Sequence, residues 1–202
     1  TCASCVLHVE RAMGWVADVF SRERLRRLPG RRAIGHVRYS TAGTSTLKNA
    51  QPIMANTALG PVAIAHNGNL VNAEALRAEL EKDGAVFQSN SDTEVILHLL
   101  ARSEGASLEE QLPKALNRVS GAYSFLLLTP DSMIAVRDPY GFRPLSLGKL
   151  GEAWIVASET CALDLLEAEF VRDVEPGEIL FITAQGVRSL KPFPPKERLQ
   201  CV

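Results

Sequence analysis

No stretch of this sequence approaches the roughly 20 consecutive apolar residues that a membrane-crossing helix needs, so neither a helical span nor a membrane partner is expected. Neither sign of charge is in excess: 22 lysines and arginines face 23 aspartates and glutamates. That balance argues against the broad electropositive footprint of a nucleic-acid binder. The local run Arg22-Glu23-Arg24-Leu25-Arg26-Arg27, with Arg31-Arg32 after it, has no interleaved aromatic on which a base would stack, and it reads as a solvated helix end and loop. Cysteine is scarce, four in 202 residues, and no secretory leader is recognisable, so a reducing, cytoplasmic setting is expected rather than a disulfide scaffold. Cys2 and Cys5 have the spacing of half a zinc site, but no second ligand pair follows at ribbon or finger distance. Repeats and low-complexity segments are also missing.

What is present is an ordinary globular balance, 46% hydrophobic and 22% charged, in a length that suits one domain with a substantial core. That domain is expected over residues 1–190, with the proline-rich 191–202 as a linker leaving it. Short apolar runs at Cys5–Val9, Val62–Ala65, Tyr123–Leu128, Met133–Val136, Trp154–Ala157 and Ile179–Ile182 predict strands. Thr129-Pro130-Asp131-Ser132 and Glu175-Pro176-Gly177-Glu178 predict turns, the first as a hairpin that makes part of the sheet antiparallel. Helices are expected in the middle: one after Asn72 with Ala73, Leu76 and Leu80 on a face and Gly84 as its stop, and one capped by Ser91 or Asp92 with Val95, Ile96, Leu99 and Leu100 in a stripe. A third opens on the capping box Ser107-Leu108-Glu109-Glu110, where Pro113 predicts a kink or a later start. A fourth, shorter one is expected from about Ala162 to Glu169. Strands, then helices, then strands without regular alternation predict an α+β layered domain.

Three polar segments carry residue types with chemical potential. Asn67-Gly68, in the polar turn expected at Ala65–Leu70, offers a side-chain amide next to a backbone N–H that no side chain obstructs. Such a pair makes an oxyanion hole, although Asn-Gly is also a common hairpin turn. Arg38, in Gly35–Gly43, has a guanidinium that clasps a carboxylate through parallel hydrogen bonds or serves a structural ion pair. Asp92, in Ser89–Glu94, binds an ammonium or caps its helix. A substrate using both residues would carry a carboxylate and an ammonium, as an amino acid does.

Eight ordered segments extend these three: Gly35–Gly43, Gln51-Pro52, Ala65–Asn72, Ser91-Asp92-Thr93-Glu94, Gly121-Ala122-Tyr123, Arg137–Leu145, Ala157–Ala162 and Glu175-Pro176-Gly177-Glu178. Together they resemble the glutaminase domain of the amidophosphoribosyltransferase family, over nearly the whole chain from about Gly14 onward. Arg38-Tyr39-Ser40-Thr41 sets the chain apart from sugar-phosphate aminotransferases, which typically have Trp after the Arg. The resemblance implies an N-terminal nucleophile hydrolase fold, a four-layer α/β/β/α sandwich with largely antiparallel sheets. It implies that Arg38 and Thr41 bind the α-carboxylate of glutamine, that Asp92 takes the α-amino group, and that Asn67 and Gly68 form the oxyanion hole. Tyr39 would lie in a loop that closes when the partner substrate, phosphoribosyl pyrophosphate, binds. Ammonia would then pass to a following phosphoribosyltransferase domain that holds magnesium, in a protein expected to be a homo-oligomer.

The family's nucleophile is an N-terminal cysteine followed by Gly, an aliphatic residue and Phe, whereas this chain begins Thr1-Cys2-Ala3-Ser4-Cys5. Because Ala12–Phe20 resembles a segment well inside the family's domain, the chain is expected to start a few tens of residues late, without the first strand and the nucleophile. On that expectation it does not hydrolyse glutamine by itself. A free N-terminal Thr1 is the rival nucleophile, using its own amine as base. Cys201 resembles the first ligand of a [4Fe-4S] cluster whose other ligands would lie in the following domain. Two alternatives stay open: a glutamine-binding regulatory module without a nucleophile, and the glutaminase domain of another amidotransferase.

Overall fold

A computed structural model describes residues 16–28, 30–37, 47–194 and 196. The elements are α1 (Val16–Val19), α2 (Arg22–Arg26), a 3-10 turn (Leu47–Asn49), β1 (Ile53–Thr57), β2 (Gly60–Leu70), α3 (Ala73–Lys82), α4 (Thr93–Arg102), α5 (Leu108–Leu116), β3 (Gly121–Leu128), β4 (Met133–Arg137), β5 (Ser146–Leu150), β6 (Ala153–Ala157), α6 (Cys161–Leu165), β7 (Glu169–Asp173), β8 (Ile179–Thr183) and β9 (Gly186–Leu190). In hydrogen-bonding order one sheet reads β1-β2-β3-β4-β8-β9 and the other β6-β5-β7. The pairings β1·β2, β4·β8, β5·β6, β5·β7 and β8·β9 are antiparallel, as the α+β reading required. The strand expected at Cys5–Val9 lies outside the described residues.

The chain divides into two compact units, and within β2 the residues through Ala65 belong to the first and those from His66 to the second, while the first also takes in Ala73–Arg118 and Leu127–Pro130. In the first unit α4 packs against α3, α5 and β1. Its stripe Val95, Ile96, Leu99 and Leu100 is buried as its spacing predicts, and each such side chain contributes about 1.5–3 kcal/mol on leaving water. Gly84, at φ +82°, ends α3 as expected, in the left-handed region where glycine costs nothing. The capping box of α5 forms differently from the prediction. Ser107 makes no side-chain cap; Glu110 reaches back to accept from the Ala106 N–H at 3.0 Å. Nor does Pro113 delay the helix, which starts at Leu108.

The second unit has its own core of Ala135 (β4), Leu147 (β5), Leu180 and Ile182 (β8), with Leu145 and Val174 from the segments flanking β5 and β7, and Trp154 and Val156 pack against it. The helix expected to reach Glu169 stops at Leu165, because Glu167 takes φ +53° and β7 begins two residues later. Three charged side chains are buried here, each with hydrogen-bond partners, as burial demands. Arg137 donates to the carbonyls of Val174 (2.7 Å), Arg143 (2.8 Å) and Gly141 (3.0 Å). Asp138 accepts from the backbone N–H groups of Tyr140, Phe142 and Tyr123; burial pushes its carboxyl up in spite of them. Arg137 and Asp138 thereby pin the loop 138–145 to the end of β4.

Glu178, 1% exposed, accepts both Arg172 amines at 2.8 Å, the Ser189 hydroxyl at 2.6 Å and the Glu175 N–H at 2.7 Å. Burial opposes its ionisation, yet these donors hold its carboxyl below the usual glutamate range. Arg172→Met is therefore expected to cost about 2 kcal/mol at neutral pH, since Glu178 loses its charged donor while Ser189 and Glu175 remain. A carboxylate depressed in the folded state contributes stability above its unfolded pKa and loses it as pH falls through the folded one. The gap between variant and parent should thus narrow from about pH 5 downward, as urea midpoints at a series of pH values would record.

Candidate active site

β2 carries Asn67 and Gly68 near its end, in the second unit. Ala65–Leu70 is therefore strand, and the polar turn predicted there does not exist. The reason lies in Gly68, whose φ of +149° keeps the chain extended in a region other residues rarely enter. A Cβ at Gly68 would overlap the Ala122 carbonyl oxygen of β3 and come within 2.9 Å of its carbon. Gly121, at φ +136°, meets β2 the same way: a Cβ there would run into the Asn69 carbonyl oxygen. Paired glycines on neighbouring strands let the two backbones approach closely here.

Beneath this approach His66 is buried, its ring 4.6 Å from that of Phe125, which stacks on Tyr123 at 4.8 Å. Asn67 is half-buried and its Nδ2 donates to the Ser158 hydroxyl at 3.4 Å. Ser158 follows β6 and fixes which way the amide is turned. Two consecutive residues thus offer a side-chain N–H and the backbone N–H of an exposed glycine, the donor types an oxyanion needs.

Asp92 lies in the first unit, at the start of α4. It occupies the N-cap position but makes no capping hydrogen bond; its Oδ1 accepts from the Thr93 hydroxyl at 3.4 Å, and Thr93 in turn accepts from Gln51 Nε2 at 3.2 Å. Ser91 supplies the local turn, its hydroxyl accepting from the Thr93 N–H at 3.3 Å. Asp92 thus does not cap α4 through its side chain. Arg38, Tyr39, Thr41 and Cys201 lie outside the described residues, as do Thr1, Cys2 and Cys5. Among the described residues no group of three or more His, Cys, Asp or Glu side chains could hold a metal ion.

Sequence reasoning missed two residues. Ser158 is 91 positions from Asn67, and no local spacing links them. Glu94 reads in sequence as an acidic residue of a helix's first turn, where it would favour the dipole. In the structure it is 6% exposed and turned back on the preceding loop, accepting from the Gln88 N–H at 2.8 Å and from the Ser89 N–H and hydroxyl at 2.7 and 2.6 Å. The one available signal was Ser89-Asn90-Ser91, a cluster of loop residues whose N–H groups require acceptors.

Residues 36–165 match the family model described as a glutamine amidotransferase domain. The chain is 50% identical to the chloroplastic amidophosphoribosyltransferase 1 of Arabidopsis thaliana over 98% of its own length and 35% of the relative's. It is 46% identical to the amidophosphoribosyltransferase of Bacillus subtilis, over 91% of this chain and 39% of that one. Among solved structures, one described as the allosteric regulatory enzyme of purine biosynthesis aligns with a TM-score of 0.89 at 46% identity, over 93% of this chain and 41% of the other. The B. subtilis glutamine phosphoribosylpyrophosphate amidotransferase, complexed with ADP and GMP, aligns with a TM-score of 0.87 at 44% identity, again over 93% and 41%. The fold is accordingly the antiparallel α+β fold of these amidotransferase domains, and the chain spans 35–41% of the length of these relatives.

Proposed function

The chain belongs to the glutamine amidotransferase domain family, and from that premise we propose that it is the glutaminase half of an amidophosphoribosyltransferase. One observation supports this reading above the others: Asn67 and Gly68 stand side by side on a strand held by a close backbone approach that only glycine permits. In the protein that carries this domain, the family's N-terminal cysteine thiol would give its proton to its own α-amine and attack the glutamine carboxamide, making a tetrahedral intermediate with negative charge on the former carbonyl oxygen. The Asn67 amide and the Gly68 N–H donate to that oxygen; the α-amine returns the proton as the C–N bond breaks and ammonia leaves, and water then hydrolyses the thioester to glutamate. Asp92 accepts from the α-ammonium, while Arg38 and Thr41 take the α-carboxylate.

In the whole protein the ammonia would displace pyrophosphate from phosphoribosyl pyrophosphate, giving 5-phosphoribosylamine for purine synthesis, with Tyr39 in a loop that closes over the site. To the same reading belong a [4Fe-4S] ligand at Cys201, magnesium with the partner substrate, a cytoplasmic homo-oligomer, and residues 191–202 as a linker.

The test uses the protein that carries this domain, given glutamine labelled with ¹⁵N in the amide together with phosphoribosyl pyrophosphate. Label is expected in phosphoribosylamine, with one glutamate released per product. Glutamate release with no label in phosphoribosylamine would favour another amidotransferase. Glutamine binding with no glutamate release would favour the regulatory module.

A further inference from the structure

The loop that presents Asp92 has its backbone N–H groups taken up by side chains almost without a break. Glu94 accepts from Gln88 and Ser89, Asn49 Oδ1 accepts from the Asn90 N–H at 3.0 Å, the Ser89 hydroxyl from Ser91 at 3.2 Å, and the Ser91 hydroxyl from Thr93. From outside, Arg77 donates to the Ser89 carbonyl at 2.9 Å and lies over the Phe87 ring at 4.1 Å. Glu94 is the centre of this arrangement, because each of its carboxylate oxygens is engaged and the Ser89 hydroxyl it receives from is the same one that holds Ser91. Its neighbour His98 stands further off at 3.8 Å, and burial lowers its pKa against the pull of the Glu94 carboxylate. The charge on Glu94 is therefore met mainly by the loop's own donors.

We propose that Glu94 is the positioning residue for Asp92: its carboxylate fixes the 88–92 turn and so sets the orientation in which Asp92 meets the α-ammonium of glutamine. This rests on the reading of Asp92 given above. An amide at position 94 would turn an NH₂ group toward one of the loop N–H donors, so a hydrogen bond would become a repulsion.

The test compares glutamine with 4-carbamoylbutyrate, which is glutamine without its α-amino group, as substrates of the protein that carries this domain. Glu94→Gln is expected to lower kcat/KM for glutamine by about tenfold or more, mainly through KM, while leaving the analogue nearly unchanged. An equal loss on both substrates would make Glu94 merely structural, and no loss on either would make it irrelevant; both overturn the proposal. Should Glu94→Gln fail to fold, Ser89→Ala removes two of the loop's hydrogen bonds while leaving the carboxylate in place. Its preference for glutamine must fall in the same direction, or the proposal is overturned. Asp92→Asn separates the two ideas. A preference unchanged by Asp92→Asn defeats the ammonium assignment itself, whereas one lost with Asp92→Asn and kept with Glu94→Gln defeats only the positioning role.

Discussion

Asn67→Ala is expected to lower kcat for glutamine hydrolysis by about 10²–10³-fold in the protein that carries this domain, with KM nearly unchanged. The split follows from when the interaction forms. The substrate carbonyl oxygen is a neutral, planar acceptor, and the donors meet it fully only as it becomes an oxyanion in the tetrahedral state, so their removal falls on the chemical step. Asn67→Asp keeps the shape, loses the donor and sets a negative charge against the developing oxyanion, so its loss should exceed that of alanine. Ser158→Ala should cost less, because Ser158 acts only by holding the Asn67 amide at 3.4 Å. Steady-state glutamate release checks the order Asp, then Ala, then the Ser158 variant. A tenfold rise in KM with kcat preserved would make Asn67 a substrate contact and remove it from the oxyanion hole.

Much of the fold was legible where burial is continuous. The runs at Tyr123–Leu128, Met133–Val136 and Ile179–Ile182 reappear as β3, β4 and β8 because central strands covered on both faces keep apolar residues at nearly every position. β1, β5, β7 and β9 were not foreseen; β7 and β9 have no fully buried side chain and are held by backbone pairing with β5 and β8. Their neighbourhood did contain an unused signal. Thr57-Ala58-Leu59-Gly60 and Thr183-Ala184-Gln185-Gly186 repeat one pattern, and both form the same two-residue hairpin. In each the threonine hydroxyl accepts from the N–H of the second loop residue, at 3.1 Å from Leu59 and 3.2 Å from Gln185. The local chemistry was readable; it simply contains no Asn-Gly.

The one Asn-Gly that drew attention is not a turn at all. Local statistics favour a type I′ bend at Asn67-Gly68, but the β3 strand passing Gly68 rewards an extended glycine and overrides them. For the candidate site, residue type singled out Asn67-Gly68 and Asp92 as candidates. What sequence could not supply was the support behind them, because Ser158 is remote and Glu94 acts backward across a loop five and six residues long. Supporting contacts of this kind depend on tertiary placement and leave no periodicity to read.

Gly68→Ala brings fold and chemistry into one experiment. The added Cβ meets backbone, the Ala122 carbonyl, which cannot swing aside as the end of a side chain could. It also forces alanine to φ +149°. Strain at such a φ costs about 1–3 kcal/mol and overpacking a similar amount, so a loss of about 2–6 kcal/mol in stability is expected. Gly186→Ala isolates the first contribution, because Gly186 has φ +117° but nothing within 4 Å of its Cβ position. Gly121→Ala repeats the clash from the opposite strand without altering either donor residue. Urea midpoints should therefore fall further for Gly68→Ala and Gly121→Ala than for Gly186→Ala. Hydrolysis should fail in both of the first two, even under conditions where they remain folded, because separating β2 from β3 displaces the Gly68 N–H from the oxyanion. Equal midpoints across the three variants would mean that the strands separate without cost. In that case the close approach at Gly68 would not hold the donor in place, and the oxyanion-hole assignment would rest on Asn67 alone.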